Sequence, residues 1–302
     1  MDRKLRFSVI IPVHNKLPHL ERSINSVLNQ TYPELELIIV NDASTDGSAE
    51  KLKEFSDGRI RLFDRSEPGP GGYLARNLGI DKACSDWICF LDADDEWAPE
   101  LLYILKDTIM RNPEAASLSW GYYHVSGSAK KLDKTSSLNR NDEFRRFNLV
   151  DLFRQRHTLW TGAVAFRKDL LVRAGKFPAS GYRRGGDVDT WIRCLALSRE
   201  NIWINKPLSN YYLDAVNMVT KSVKRESLYI FSPFVMDLLQ RSSDRELRKA
   251  IKDFQNKRIY SILRGQMLDG LQPDFHLISK MNISSSGMLL LAKLMVRKLI
   301  KR

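Results

Sequence analysis

Apolar positions in the first hundred residues fall into short continuous runs separated by polar turns. Phe7 to Val13, Leu35 to Val40, Ile60 to Phe63 and Trp87 to Leu91 are such runs, rich in β-branched and aromatic residues, and they predict buried strands. Between them the spacing turns helical. Leu20, Ile24, Val27 and Leu28 share one face over His19 to Asn29, Ser48 opens a helix through Phe55, and another runs from the glycine-rich loop Pro68–Gly72 to Ala83. Further on, Thr161 to Phe166 predicts a strand, Tyr182 to Asp187 a loop, and Val188 to Leu197 a helix. Between Ala129 and Asn141 the sequence turns polar, with Lys, Ser, Asp and Asn, and predicts an exposed loop. Beyond about Val219 the pattern is helical, over Leu228 to Gln240 and Asp244 to Leu268.

Strands alternating with helices predict βαβ units and a mostly parallel sheet, an α/β fold whose ligands collect beyond the carboxyl ends of the strands. Asp42 and Asp92 both stand at such ends. The expected division is an α/β domain over 1–215, in two halves that meet at about 95 and 96, followed by a helical extension over 216–302. The net charge of +12 sharpens that division. Of 48 Lys and Arg and 36 Asp and Glu, 17 and 7 fall after Thr220, so the first part is near neutral and the extension carries the basic excess. Three cysteines with no CxxC spacing predict small core thiols in a reducing compartment, the cytoplasm. No apolar run reaches the roughly 18 residues that span a bilayer.

The sharpest chemical signal is Asp92, Ala93, Asp94 and Asp95, set directly after an apolar strand. Carboxylates at i and i+2 on a turn can meet a divalent ion from one side, and hard oxygen ligands suit Mg²⁺ or Mn²⁺. Taken alone, the cluster reads equally well as a capped, solvated turn. It does not stand alone. The stretches Val9–Asn15, Val40–Gly47, Ala75–Ile80 and Phe90–Asp95 resemble, in order and spacing, the motifs of glycosyltransferase family 2, and the resemblance extends from about Phe7 to about Tyr212.

That resemblance implies a GT-A type, Rossmann-like nucleotide-binding domain and a transfer of sugar from a nucleoside diphosphate sugar, with a UDP-sugar the first expectation, to an acceptor hydroxyl with inversion. It implies that Pro12, Val13 and Asn15 line the nucleotide pocket, that Asp42 accepts from the base, and that Arg76, Asp92 and Ala93 lie along the donor. Asp94 would hold the metal. His14 stands where the family often has Tyr. Gly185, Gly186 and Asp187, followed by Trp191, resemble the second acidic motif and make Asp187 the general base, with Asp189 as its substitute. The family frequently carries a carboxylate where Gly186 stands. Asp214 falls where many relatives have His, and its role stays open. Trp160 and Tyr182 lie in segments expected to flank the acceptor, while His124 and His157 read as structural.

Met288 to Arg302 alternates Leu289, Ala292, Met295, Val296, Leu299 and Ile300 with five cations at helical spacing. Such a helix can lie on an anionic bilayer or pack on the catalytic domain. The first reading predicts a peripheral protein on the inner face of the cell membrane, acting on a saccharide or lipid-linked saccharide in envelope polysaccharide or glycolipid synthesis. A nucleic-acid partner is not expected, because the aromatics concentrate in the near-neutral part rather than among the cations. The alternative function is a catalytically inactive, nucleotide-sugar-binding or scaffold subunit.

Overall fold

A computed structural model describes residues 4–138, 143–218 and 228–268 and, beyond these, 270, 272, 274, 276–282, 287–290 and 292. The chain divides into two compact units, one of residues 1–148 and 158–224, the other of 149–157 and 225–302.

The first unit is built on a sheet whose first half is parallel. β1 (Phe7–Val13), β2 (Leu35–Asp42), β3 (Ile60–Arg65) and β4 (Trp87–Phe90) lie in the order β3-β2-β1-β4, with Ile10 opposite both Ile38 and Phe90. Every residue of β2 is buried and β1 is buried but for Pro12, as continuous apolar runs covered on both faces require. Helices α1 (Leu20–Leu28), α2 (Ser48–Leu52) and α3 (Tyr73–Lys82) are the crossovers. Helix α3 packs so closely on β1 that a Cβ on Gly79 would lie 2.5 Å from Ile10 Cγ2.

Past β4 the sheet becomes mixed. After the short β5 (Glu96–Trp97) and α4 (Leu101–Arg111) come β6 (Ser117–Ser126), β7 (Ala129–Leu132), α5 (Lys134–Leu138) and β8 (Phe144–Arg146). Then follow β9 (Val164–Arg167), α7 (Lys168–Arg173), α8 (Gly186–Leu197) and β10 (Asn201–Tyr212), with α6 (Leu149–Phe153) in the second unit. The order continues β4-β9-β6-β10-β5, and β9 runs antiparallel to both β4 and β6 while β10 runs parallel to β6.

Four expectations change. The polar stretch from Ala129 is no loop: β7 folds back on β6 as a hairpin, and Asp133 then starts α5 by accepting from Ser136 N at 3.0 Å and Tyr122 N at 3.1 Å. Thr161–Ala163 form a 3-10 turn ahead of β9 rather than strand, because the Gly162 carbonyl turns aside to Trp97 Nε1 at 2.9 Å and Ser209 Oγ at 3.0 Å. Helix α8 begins at Gly186 rather than Val188, placing Asp187 inside its first turn. Cys84 is exposed, while Cys89 and Cys194 are the buried thiols.

In the second unit the helical run from Leu228 is broken at Ser232. That side chain caps α9 (Pro233–Arg241) by accepting from Val235 N at 3.3 Å, with Pro233 at the first helical position. The long α10 (Arg245–Leu268) buries Ile251, Phe254 and Ile259, and Phe153 of α6 meets Phe254 edge-on at 5.5 Å. Residues 287–290 and 292 are helical; the remainder of the predicted amphipathic helix lies outside the described residues.

Candidate active site

The carboxyl ends of the parallel strands gather the predicted acids. Asp42, 1% exposed, pairs through Oδ1 with Arg65 and accepts from Gly69 N at 3.1 Å, so the end of β2 also anchors the glycine-rich loop. The carbonyl of Asp42 accepts from His14 Nδ1 at 2.7 Å. Asn15 adopts φ +54° and receives Thr45 N on Oδ1 at 2.7 Å, while its own N–H donates to Ser44 Oγ at 3.1 Å. Asn is among the few residues that enter this left-handed region readily, so the side chain and the turn are one adaptation. Pro12 is half-buried at the strand end. Val13 is fully buried in the core, so it offers a ligand its backbone and not its side chain.

Gly71 and Gly72 both have positive φ, and they bring the loop back over Pro12 into α3. One turn into that helix Arg76, 7% exposed, donates from Nη1 to the Gly71 carbonyl at 2.9 Å and pairs through Nη2 with Asp92. One guanidinium thereby ties the glycine-rich loop to the acidic turn. In that turn Ala93 is buried and faces the core, leaving Asp92 and Asp94 on the outer side. Asp94 Oδ2 accepts from Lys16 Nζ at 2.6 Å. Asp95 is fully buried and accepts from Tyr212 N at 2.9 Å through Oδ1, while its Oδ2 is buried without a partner. Burial first, then the charges of Asp94 and Asp92, raise its pKa well above the aspartate range.

These donors suit Mg²⁺ or Mn²⁺. They are hard carboxylate oxygens grouped on one turn, and a diphosphate and water would supply the rest of the sphere. Among the described residues, no group of three or more His, Cys, Asp or Glu side chains forms a cage by itself.

Asp187 approaches the same place from α8. Its Oδ2 accepts from Thr161 Oγ1 at 3.4 Å. Desolvation of the carboxyl, helped by the charge of Asp92, raises its pKa; the Val188 N–H and the Arg76 charge oppose without cancelling. Asp189 is committed elsewhere, accepting from Arg193 Nε at 2.9 Å on the same helix. Tyr73 completes the arrangement. Its hydroxyl accepts from Gly186 N at 3.0 Å, its ring stacks on Phe177 at 5.9 Å, and a Cβ on Gly186 would meet both the Tyr73 ring and Pro178 Cγ at 2.8 Å. The Tyr73 ring therefore fills the space that a side chain at 186 would need.

Trp160 immediately precedes Thr161 and packs against Tyr122 at 4.6 Å and Tyr211 at 4.9 Å, half-buried. Tyr182 is half-buried in the loop ahead of α8. Asp214 accepts from Gly127 N at 2.9 Å. His157 is buried, and His124 belongs to the aromatic group at 5.3 Å from Tyr122. Lys16, Tyr73 and Thr161 were missed from the sequence. A hydroxyl next to Trp160 and a tyrosine after a double glycine were the available signals, and both are too common to single out.

Comparison with known proteins agrees with this geometry. The profile described as Glycosyl transferase family 2 matches residues 8–173. TuaG of Bacillus subtilis, a glycosyltransferase assigned to teichuronic acid biosynthesis, is 35% identical over 212 residues, covering 68% of this chain and 78% of that protein. Glycosyltransferase GlyA of Streptococcus pneumoniae is 29% identical over 68% of this chain, which spans only 30% of that longer protein. Among solved structures, S. aureus TarS 1-349 in complex with UDP-GlcNAc superposes with a TM-score of 0.72 at 17% identity, covering 96% of this chain and 80% of that one, and shares its GT-A fold. With the family profile spanning more than half its length and its acids gathered at the ends of a parallel sheet, the chain belongs to glycosyltransferase family 2.

Proposed function

We propose that this protein transfers a sugar from a nucleoside diphosphate sugar to an acceptor hydroxyl with inversion at the anomeric carbon. The observation that carries the proposal is the convergence of Asp187, Arg76 and the Asp92–Asp94 turn on one another at the strand ends. A carboxyl with a raised pKa, oriented by Thr161, is suited to take the acceptor proton as the hydroxyl attacks opposite the leaving diphosphate. Pro12, Asn15 and Asp42 hold the nucleotide end, and Arg76 with Asp92 and Ala93 positions the diphosphate and sugar. Asp94, with Asp92, would hold Mg²⁺ or Mn²⁺, which when bound supplies Lewis-acid stabilisation of the departing charge. Trp160, with Tyr182, supplies apolar surface on the acceptor side.

TuaG supports cell-envelope polysaccharide as the setting, and the complex of TarS supports a UDP-sugar as donor. The basic C-terminal segment supports a peripheral place on the inner face of the cell membrane and a lipid-linked saccharide acceptor. Among the described residues, no helix is long and apolar enough to cross a membrane.

The test is hydrolysis of UDP-sugars with and without Mn²⁺, with thermal shifts by UDP read in parallel. Turnover that requires Mn²⁺ and vanishes in Asp94→Ala is expected. A stabilising shift by UDP without turnover of any donor, with acceptor or water, would mark the chain as an inactive nucleotide-sugar-binding subunit.

A further inference from the structure

The cation that Asp94 holds belongs to the protein itself. Lys16 follows the left-handed residue Asn15, and its backbone is fixed by a hydrogen bond from its N–H to Ser48 Oγ at 3.0 Å. The side chain runs inward until only 13% of it is exposed, opposite an Asp94 side chain 11% exposed. An ammonium has three N–H donors. Those of Lys16 go to Asp94 Oδ2 at 2.6 Å, to the Val216 carbonyl at 2.6 Å and to the Asn217 carbonyl at 3.3 Å.

The two carbonyls belong to the segment that follows β10, which crosses the rim of the site as a strap. Asn217 Nδ2 donates to the Asn15 carbonyl at 3.1 Å, and Val216 N donates to His19 Nε2 at 3.1 Å. Lys16 therefore joins the proposed metal carboxylate to the strap through a single nitrogen. A divalent ion coordinated by Asp94 would set two positive charges against that ammonium and compete with it for the carboxylate. With both side chains mostly buried, that repulsion is poorly screened by water.

We infer that Lys16 is the resident counter-cation of Asp94 and a latch: metal entering on Asp94 displaces the ammonium, and the strap at 216–217 loses the donor that holds it. The inference rests on the metal assignment proposed above. It gives lysine a use that arginine would serve less well, because a compact charge on a flexible stem can let go and swing away.

The test measures Mn²⁺ binding to the full chain by electron paramagnetic resonance, first with Mn²⁺ alone and then with UDP, for the native protein, Lys16→Met and Lys16→Arg. Lys16→Met should bind Mn²⁺ about tenfold or more tightly than the native protein, and Lys16→Arg should stay within about threefold of it. Hydrogen exchange supplies an independent readout. Amides at 214–218 should exchange faster in the native protein once Mn²⁺ is added, and in Lys16→Met they should be fast from the start and indifferent to the metal. Equal Mn²⁺ affinity in the native and Met proteins, or native exchange at 214–218 unmoved by bound Mn²⁺, overturns the latch while leaving the metal assignment standing. Absence of Mn²⁺ binding in all three proteins, with and without UDP, overturns both.

Discussion

Two aspartates two positions apart on α8 have been given opposite duties by their neighbours. Asp189 is neutralised by Arg193, whereas Asp187 sets a hydroxyl at 3.4 Å, helical N–H groups and the charge of Arg76 against its desolvation, and these do not cancel it. Asp187→Asn keeps the shape and removes the proton acceptor, so turnover should fall by roughly 10²–10⁴-fold with donor affinity nearly unchanged. An equal loss in Asp189→Asn would reassign the role. Because the folded state raises the Asp187 pKa, the acid limb of the rate profile should lie above the ordinary aspartate range. The linked stability has the opposite sense. It is fully present below the unfolded pKa of about 3.9 and is lost as pH rises through the raised folded value. The Asn variant should therefore melt higher than the native protein at neutral pH, as a pH series of thermal unfolding would show. Asp42 and Asp92 were legible because each closes an apolar run, and Asp187 because its surroundings resemble the family's second acidic motif. Lys16 and Tyr73 were not, since their partners lie 78 and 113 residues away and only the folded chain brings them together.

At the scale of elements, the parallel half could be read because β1, β2 and β4 are buried on both faces and declare themselves as unbroken apolar runs. The other half hides its longest strand. β10 carries Asn205, Lys206 and Pro207 in its middle, where the pairing with β6 shifts register, so neither alternation nor a continuous run survives in the sequence. β7 is polar because it is an exposed edge hairpin, which looks like a loop until its partner is known. The tightest joint in the parallel half is Gly79 against Ile10. Gly79→Ala should cost about 1–3 kcal/mol of stability by overpacking, despite the better helix propensity of alanine. Urea unfolding measures this directly, and a neutral or stabilising result would mean that α3 can lift from the sheet without loss.

Across the whole chain, charge is distributed by unit. The sheet unit is close to neutral and spends its acids at the strand ends, while the C-terminal segment carries the excess of cations. Deleting 288–302 removes five of those cations and no residue of the proposed donor site. Each cation near an anionic surface contributes about 1 kcal/mol, so the truncated chain should stop sedimenting with anionic vesicles while still binding UDP. Vesicle binding by the full chain should weaken as salt rises, with screening over about 10 Å at 0.1 M. Loss of the thermal transition on truncation, with no vesicle binding by the full chain, would identify the segment as packing material.

The ring of Tyr73 lodged beside Gly186 also limits what position 186 can hold. A carboxylate cannot be introduced at position 186 while the tyrosine stands, since even its Cβ would overlap the ring and Pro178 at 2.8 Å. A smaller residue at 73 would remove the ring's part of that overlap and leave the part from Pro178. The two positions should therefore be coupled: Gly186→Glu should cost less stability in Tyr73→Ala than in the native background. A double-mutant cycle on thermal stability should return a coupling of about 1–3 kcal/mol, where independent sites would add to within about 0.5 kcal/mol.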